Sequence, residues 1–162
     1  MRIYTGSDHA GFRLKETLKG HLRARDHEVI DLGADSEMPT DYPDYAAPVA
    51  RKVRDEPGSL GFLVCGSGAG VCITANKVVG IRAVTPASVE AAQLSRQHND
   101  ANVLCLGQRF IDEKTAVDIL DAFLSTRFEG GRHVPRLQKI RAIEAAEAAA
   151  SGDKAPGDKT VR

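Results

Sequence analysis

The residues best suited to chemistry in this 162-residue chain lie in one loop, where Cys65 is followed by glycine at positions 66, 68 and 70. An apolar run over 60–64 precedes the cysteine, so Cys65 is predicted at the carboxyl end of a buried strand. Alternate glycines let backbone N–H groups face an anion, and such donors favour a thiolate. The pattern predicts a base or nucleophile beside an anion site, and the alternative is an inert thiol at a strand end.

The loop also carries Ser67, whose hydroxyl can donate to an oxyanion or, alternatively, cap the following helix. Nucleotide binding is disfavoured, because the loop lacks the Gly-x-Gly-x-x-Gly pattern and follows the third predicted strand instead of the first. A phosphate-loop Lys-Ser/Thr pair is also missing from the sequence.

Two further polar pairs are candidates for a site. Asp8 and His9 follow the first predicted strand and suit sugar hydroxyls or phosphate, although Asp8 is equally well placed as a helix N-cap. His98 and Asn99 end the fourth predicted helix, where a histidine serves either as a dipole partner or as a general acid–base.

Arginines are the third candidate group. Arg132 and Arg136 lie four residues apart, and on a turn entering the last helix their guanidinium groups could converge on one phosphate. Two solvated surface arginines are the alternative. The segment Asp41-Tyr42-Pro43 is interpreted as a turn with an aromatic plug.

Strand-like and helix-like segments alternate along the chain. The predicted strands cover 2–6, 28–31, 61–65, 81–84 and 103–106, and the predicted helices lie near 11–25, 45–55, 70–77, 89–98, 113–124 and 135–149. This order predicts an α/β fold with a five-stranded parallel sheet and helices on both faces. Ligands of such sheets bind outside the carboxyl ends of the strands, and we expect Asp8, the Cys65 loop and His98 near that rim or on loops that could reach it.

Composition narrows the classes of function. Lys+Arg and Asp+Glu both number 22, so no basic field indicates nucleic acid or a membrane surface as partner. Without a leader-like segment or an apolar run of about 18 residues, a cytoplasmic location is expected.

The three cysteines lack metal-ligand spacing, and Cys72 and Cys105 are interpreted as small buried apolar residues. Residues 1–150 are predicted to form one domain, and the polar 151–162 a disordered tail.

Several motifs together resemble one family. They are Gly6-Ser7-Asp8-His9-Ala10-Gly11-Phe12, Asp41-Tyr42-Pro43, Cys65-Gly66-Ser67-Gly68-Ala69-Gly70, Ala75-Asn76-Lys77, Gly80-Ile81-Arg82-Ala83, His98-Asn99-Asp100-Ala101-Asn102-Val103 and Gly130-Gly131-Arg132-His133. Their order and spacing over about residues 1–148 resemble the sugar-phosphate isomerase family that includes the B-type ribose-5-phosphate isomerases and the galactose-6-phosphate isomerase subunits.

The resemblance implies a Rossmann-like three-layer subunit with an extra C-terminal helix. It also implies a homodimer in which each active site is built from both chains, and it allows a tetramer of two such dimers. It implies neither a metal nor an organic cofactor. The implied reaction interconverts ribose 5-phosphate and ribulose 5-phosphate through a cis-enediolate, as in the pentose phosphate pathway.

Roles are implied by position in the motifs. Cys65 matches the base that moves the proton between C2 and C1, Ser67 the hydroxyl that assists at the oxygens, and His98 the residue that opens the furanose ring. The remaining matches are to substrate-binding positions: Gly66, Gly68 and Gly70 for the enediolate oxygen, Asp8 for sugar hydroxyls, Asn99 beside His98, and His9, Arg132, Arg136 and, from the partner subunit, Arg109 for phosphate.

One branch of the family replaces the cysteine by a glutamate directly after the glycine loop. Position 71 is valine here, which leaves Cys65 as the candidate base in the loop. The same chemistry on allose 6-phosphate or a tetrose phosphate remains an alternative, as does a non-catalytic sugar-phosphate-binding subunit. A thiol reductase or hydrolase is disfavoured, because no second cysteine lies at Cys-x-x-Cys spacing.

Overall fold

Strands and helices alternate in the computed structural model, which describes residues 1–151. The strands are β1 (Arg2–Ser7), β2 (Glu28–Asp31), β3 (Leu60–Cys65), β4 (Ala83–Val84) and β5 (Val103–Gly107). The helices are α1 (Phe12–Arg23), α2 (Pro43–Asp55), α3 (Ala69–Ala75), α4 (Val89–Asn99), α5 (Glu113–Ser125) and α6 (Val134–Ser151), with 3-10 turns at His9–Gly11 and Gly131–His133. The predicted parallel α/β fold is confirmed.

All four strand pairings are parallel, and the strand order is β2-β1-β3-β5-β4. The residues of β3 and β5 are all buried, as expected for central strands covered on both faces. Among the strands, the largest difference from the prediction concerns β4, which begins at Ala83 instead of residue 81. The amide of Ile81 bonds Val78 in a turn, and the amide of Arg82 bonds the Asn102 side chain, so neither joins the sheet ladder.

Side chains alternate between two cores, one on each face of the sheet. On one face, Leu14, Leu18 and Leu22 of α1 pack with α5 and with Phe62 of β3. On the other face, α2 and α3 pack on the sheet, and this core includes both Cys65 and Cys105. The apolar stripe predicted for the first helix therefore faces the sheet.

The chain divides into two compact units, Met1–Glu129 and a second unit that begins at Gly130. The sheet belongs entirely to the first unit, and α6 to the second. Apart from Ser151 at the end of α6, the predicted tail 151–162 lies outside the described residues. Among residues 1–151, no helix has both the length and the apolar character needed to cross a membrane.

Candidate active site

The direction in which successive strands are added to the sheet reverses between β1 and β3. From β1 it continues to β2 on one side, and from β3 it continues toward β4 and β5 on the other. The connections that leave these neighbouring strands diverge, which opens a crevice at their carboxyl ends. Ser7 pairs with Val64 at this point, so the next residues, Asp8 and Cys65, flank the crevice as the sequence predicts.

Cys65 is buried, and its sulfur accepts a hydrogen bond from the Gly68 amide at 3.1 Å. Gly68 adopts a left-handed conformation with φ 79°, which glycine tolerates best. A Cβ there would also lie 2.9 Å from Thr85 Cγ2 and 3.0 Å from the Leu106 carbonyl carbon. Only glycine fits this position, and the turn directs an N–H group at the thiol, where it stabilises negative charge on sulfur.

Ser67 is exposed, and its hydroxyl oxygen accepts a hydrogen bond from the Ala69 amide at 3.3 Å. This bond closes a local turn, and the N-cap of α3 is Gly68 without a side-chain cap bond, so the predicted capping role of Ser67 is not observed. The Ser67 backbone packs directly on Gly107, where a Cβ would lie 2.6 Å from the serine carbonyl carbon. Hydrogen bonds from Gln108 N to Cys65 O (3.0 Å) and from Arg109 N to Gly66 O (3.1 Å) join the two loops. The loop after β5 thus fixes the loop that carries the thiol.

Two side chains cover the glycine loop. The guanidinium of Arg109 lies over Gly66 of its own chain, 3.1 Å from the position a Cβ would take, whereas the resemblance implies a contribution from a partner subunit. The ring of Tyr42 lies over Gly70, with Cζ 2.8 Å from the corresponding Cβ position. Glycine at 66 and 70 leaves space for these groups, so the loop has a cation on one side and an aromatic ring on the other.

Asp8 and His9 lie at the end of β1 and are both bonded within the chain. Asp8 caps the turn that follows, since its carboxylate accepts from the Gly11 amide at 3.0 Å. His9 Nδ1 lies 3.1 Å from Thr40 O and 3.2 Å from Thr40 N. A Cβ on Gly11 would lie 2.4 Å from Val64 O, so this turn packs against β3 without a side chain between them.

A buried ion cluster supports the end of β1. The fully buried Lys15 ammonium donates to both oxygens of Asp31 at 2.8 and 2.9 Å and to Ala34 O at 2.6 Å. Burial alone would raise the pKa of Asp31, but hydrogen bonds from Lys15 and Lys19 outweigh it and lower that pKa. The segment held by this cluster exchanges backbone bonds with Ser7, from Ser7 N to Gly33 O and from Ala34 N to Ser7 O.

His98 and Asn99 lie at the opposite edge of the sheet from Cys65, which corrects the expectation that they fall near the carboxyl rim. They end α4, and Asn102, three residues after Asn99, accepts a bond from Gly61 N at the start of β3. Helices that connect parallel strands run back along the sheet, so a helix that precedes a strand ends at the amino edge. Cys65 is four residue steps beyond Gly61 along β3, a distance of about 13 Å from that edge.

In the second unit, the predicted arginine pair is observed on the turn into the last helix. Arg132 Nε donates to His133 Nε2 at 3.4 Å, and Arg136 Nη1 lies 3.3 Å from Nδ1 of the same ring. The two guanidinium groups thus come together around one imidazole, an arrangement that can hold a dianion.

Sequence reasoning missed two supporting residues, Lys15 and Gln108. Gln108 accepts a bond from Leu14 N at 2.8 Å, which ties the start of α1 to the loop after β5. A signal existed for Lys15, since its neighbour Leu14 belongs to the buried stripe of α1 and Lys19 repeats the charge four residues later. No local pattern distinguishes Gln108 from a surface glutamine.

The fold and the site define a class: a parallel α/β protein with a buried thiol and glycine-loop amides at the switch point of the sheet. The model of the Ribose/Galactose Isomerase family matches residues 3–140, and the chain belongs to this family.

Individual relatives are similar over nearly their whole length. The chain is 49% identical over 143 residues to Ribose-5-phosphate isomerase B of Escherichia coli, covering 88% of this chain and 96% of that protein. A solved structure of ribose-5-phosphate isomerase B from Clostridium thermocellum superposes with a TM-score of 0.89 at 44% identity, covering 91% and 99% of the two chains. The enzyme from Mycoplasma genitalium with bound ribulose-5-phosphate gives a TM-score of 0.85 at 44% identity, covering 89% and 96%.

Proposed function

We propose that this protein is an aldose–ketose isomerase that interconverts D-ribose 5-phosphate and D-ribulose 5-phosphate. The observation that carries the proposal is the Cys65 thiol, which lies at the switch-point crevice with the Gly68 amide donating to its sulfur. A relative of the same fold, 44% identical, holds ribulose-5-phosphate. A protein that only bound sugar phosphates would have no need of a base in the crevice.

The reaction requires a base for a weakly acidic C–H proton and donors for the oxygens of the intermediate. Cys65 takes the proton from C2 of the open-chain aldose and returns it to C1, through a cis-enediolate. The hydroxyl proton on O2 is lost and O1 gains one, a transfer assigned to Ser67. The amides of Gly66, Gly68 and Gly70 are proposed as donors to the enediolate oxygen, since preorganised N–H groups stabilise developing charge.

Binding of the sugar phosphate is assigned to polar groups of the same motifs. Asp8 is proposed for sugar hydroxyls and His9 for phosphate, both at the end of β1. Phosphate is also assigned to arginines, whose planar guanidinium groups bind it bidentately. They are Arg109, which lies over Gly66, and the pair Arg132 and Arg136 around His133.

Ring opening is assigned to His98 with Asn99 beside it, and we propose that these residues come from a second subunit. Within one chain, α4 ends at the amino edge of the sheet, about 13 Å from the Cys65 edge. We therefore propose a homodimer in which each active site combines Cys65 of one subunit with His98 of the other. A two-fold dimer places both sites in equivalent positions.

The remaining expectations belong to the same proposal. The family model's match over residues 3–140 extends from the first compact unit into the second, which supports one working domain over 1–150. Catalysis by a thiol requires that the thiol stay reduced, which supports a cytoplasmic location. The proposed interconversion of ribose 5-phosphate and ribulose 5-phosphate supports a role in pentose phosphate metabolism.

The reaction is tested with purified protein in an isomerase assay on ribose 5-phosphate, run in parallel with allose 6-phosphate, galactose 6-phosphate and erythrose 4-phosphate. We expect preference for ribose 5-phosphate and, in Cys65→Ala, a loss of about 10²–10⁴-fold in kcat with ribose 5-phosphate binding retained. Preference for another sugar would replace the substrate and keep the mechanism. Turnover unaffected by Cys65→Ala would overturn the assigned base.

Subunit sharing has its own test, in which inactive Cys65→Ala and His98→Asn chains are mixed after unfolding and refolded together. A shared site gives each mixed dimer one intact pair, Cys65 from one chain and His98 from the other. Random pairing then restores about a quarter of the wild-type activity. Sites contained within single chains would restore none, because every chain carries one defect.

A further inference from the structure

Three of the sequence motifs meet beside β4. They cover 75–77 at the end of α3, 80–83 at the start of β4, and 98–103 between the end of α4 and the start of β5. The proposed reaction uses only His98 and Asn99 from these motifs, so their other side chains have no role in it so far. The side chain that joins the second motif to the third is Arg82.

The guanidinium group of Arg82 holds the end of α4. Its Nε donates to the carbonyl oxygens of Asn99 and Asp100, both at 2.9 Å, and its Nη2 donates to Asp100 O at 2.6 Å and to Asp100 Oδ2 at 2.9 Å. The last carbonyls of a helix lack partners within the helix, and basic side chains can supply them. Since the Arg82 side chain is only 17% exposed, water competes little for these bonds. One planar group thus holds two successive peptide units where α4 ends.

The backbone that carries Arg82 is itself fixed on both sides. The Asn102 side chain accepts from Arg82 N at 2.8 Å and donates to Gly80 O at 3.0 Å, and the Asn102 backbone N–H donates to Arg82 O at 3.1 Å. On the other side, the Asn76 side chain bonds both Ala83 N and Ala83 O, at 2.8 and 2.9 Å. The guanidinium group therefore extends from a fixed backbone to a defined position.

Arg96 bonds the same carboxylate but contacts a different part of the fold. Its Nη1 donates to Asp100 Oδ1 at 3.0 Å, and its Nε donates to Thr126 O at 3.3 Å. The guanidinium group also lies 5.4 Å from the centroid of the Phe123 ring. Phe123 belongs to α5 and Thr126 is its C-cap. Arg96 therefore joins α4 to the neighbouring helix, whereas Arg82 holds the end of α4.

We propose that Arg82 is a positioning residue for ring opening, which sets the direction in which the end of α4 presents His98 and Asn99. This inference rests on the proposed isomerase function. Arg82 acts through the backbone, because a bonded carbonyl holds the peptide group after Asn99 in one orientation and the last turn of the helix with it. Orientation matters for proton transfer at the ring oxygen, since a displacement of about 1 Å can lower a rate about 10²-fold.

The first test compares a ring-forming sugar with an open-chain sugar. Ribose 5-phosphate requires ring opening, whereas erythrose 4-phosphate cannot close a furanose ring because its C4 hydroxyl is esterified. In Arg82→Lys the charge is kept but the planar fork is lost, so one side chain no longer holds both carbonyls and the carboxylate. We expect kcat with ribose 5-phosphate to fall about 10–100-fold, while its KM and the kcat with erythrose 4-phosphate change by less than about twofold.

Arg96→Lys is the matched control, because it changes the other guanidinium group on Asp100. It should lower Tm and affect both sugars alike. An unchanged kcat with ribose 5-phosphate in Arg82→Lys, or equal losses on the two sugars, would overturn the positioning role. A wild type that converts neither sugar would contradict the proposed isomerase function itself.

The second test uses subunit mixing and needs only ribose 5-phosphate. Because Arg82 acts on His98 of its own chain, Arg82→Ala chains refolded with Cys65→Ala chains should form mixed dimers with one intact site, and about a quarter of the wild-type activity should return. Mixing with His98→Asn chains should restore nothing beyond the residual activity, since both variants damage the same half of the site. Recovery with His98→Asn but not with Cys65→Ala would overturn the proposal.

The mixture of Cys65→Ala with His98→Asn is the control for subunit sharing. If this mixture recovers no activity, the shared site is contradicted and the comparison of the two sugars decides the role of Arg82. Should Arg82→Ala fail to fold, Arg82→Lys takes its place in the mixtures. Either way, a defect that follows His98 in mixing or in substrate preference supports positioning, and a defect that follows neither overturns it.

Discussion

The two edges of the sheet are constructed in opposite ways. At the carboxyl edge, loops approach each other at glycines: Gly11 against β3, Gly68 against Thr85 and β5, and Gly107 against Ser67. At the amino edge, side chains join the loops. Arg82 donates to the carbonyls of Asn99 and Asp100 and to the Asp100 carboxylate, and Asn102 bonds both Arg82 N and Gly80 O.

In the proposed dimer, this difference would let one chain supply two halves of an active site. Close backbone packing at the carboxyl edge holds the glycine loop and Cys65 at the crevice between β1 and β3. The side-chain bonds at the amino edge fix the end of α4 and so fix the direction in which His98 and Asn99 are presented. In the proposed dimer, the carboxyl edge carries the base, and the amino edge presents His98 and Asn99 to the neighbouring subunit.

Removal of the charge at Asp31 should have the largest effect on stability. In Asp31→Asn the fully buried Lys15 ammonium loses its counter-charge, and breaking such a pair costs about 3–5 kcal/mol. Urea unfolding monitored by circular dichroism measures the loss. The exposed pair Lys114–Asp118 provides the control, because Asp118→Asn should change the free energy of unfolding by less than about 0.5 kcal/mol. Equal losses in both variants would show that the cluster does not support the carboxyl edge.

Gly68→Ala should test both the stability of the loop at the carboxyl edge and the position of its amide beside Cys65. Alanine at φ 79° is strained, and its Cβ meets Thr85 and the Leu106 backbone, so we expect a loss of about 2–3 kcal/mol and a fall in kcat as the amide moves away from Cys65. Gly58→Ala is the matched control, because Gly58 also has a positive φ but no atom lies near its Cβ position. An unchanged kcat in Gly68→Ala would remove the amide from the mechanism.

At the amino edge, Asp100→Ala and Asp100→Asn should differ. Asp100 adopts φ 45° and accepts from Arg82 and Arg96, so alanine loses both ion pairs and is strained, at a cost of about 2 kcal/mol. Asparagine tolerates this conformation and should cost about half as much. We expect kcat for ring-forming substrates to follow the same order, while a sugar that is already open-chain is affected less. Equal effects on both substrate types would contradict ring opening from this edge.

The pH dependence of stability should be smaller but specific. Because the folded-state pKa of Asp31 is lowered, its contribution is fully present above the unfolded value of about 3.9 and is lost as pH falls through the folded value. The wild type should therefore lose more free energy of unfolding than Asp31→Asn between pH 5 and pH 2. Parallel pH profiles for the two proteins would show that Asp31 is not the group responsible.

Much of the fold follows from local patterns in the sequence. The fully apolar β3 and β5 and the leucine stripe of α1 are short-range features, and the predicted elements match the observed ones to within a few residues. The loop after β3 could also be predicted, because alternate glycines directly after an apolar run are typical of a turn whose backbone N–H groups face a ligand. The placement of Asp8 and Cys65 at one crevice follows from parallel strand order alone.

Features that depend on distant parts of the chain could not be predicted from local patterns. The error over His98 was one of topology, since closeness to a strand in sequence does not say which end of that strand is near. Cys72 and Cys105 look alike as small apolar residues, and only the packing of α3 on the sheet leaves one half-buried and the other fully buried. The sequence by itself determined the elements and the thiol loop, because hydrophobic periodicity and glycine act over a few residues. The tertiary structure decided which side chains share an edge of the sheet or a counter-charge, because those energies depend on burial and on contacts between residues far apart in the chain.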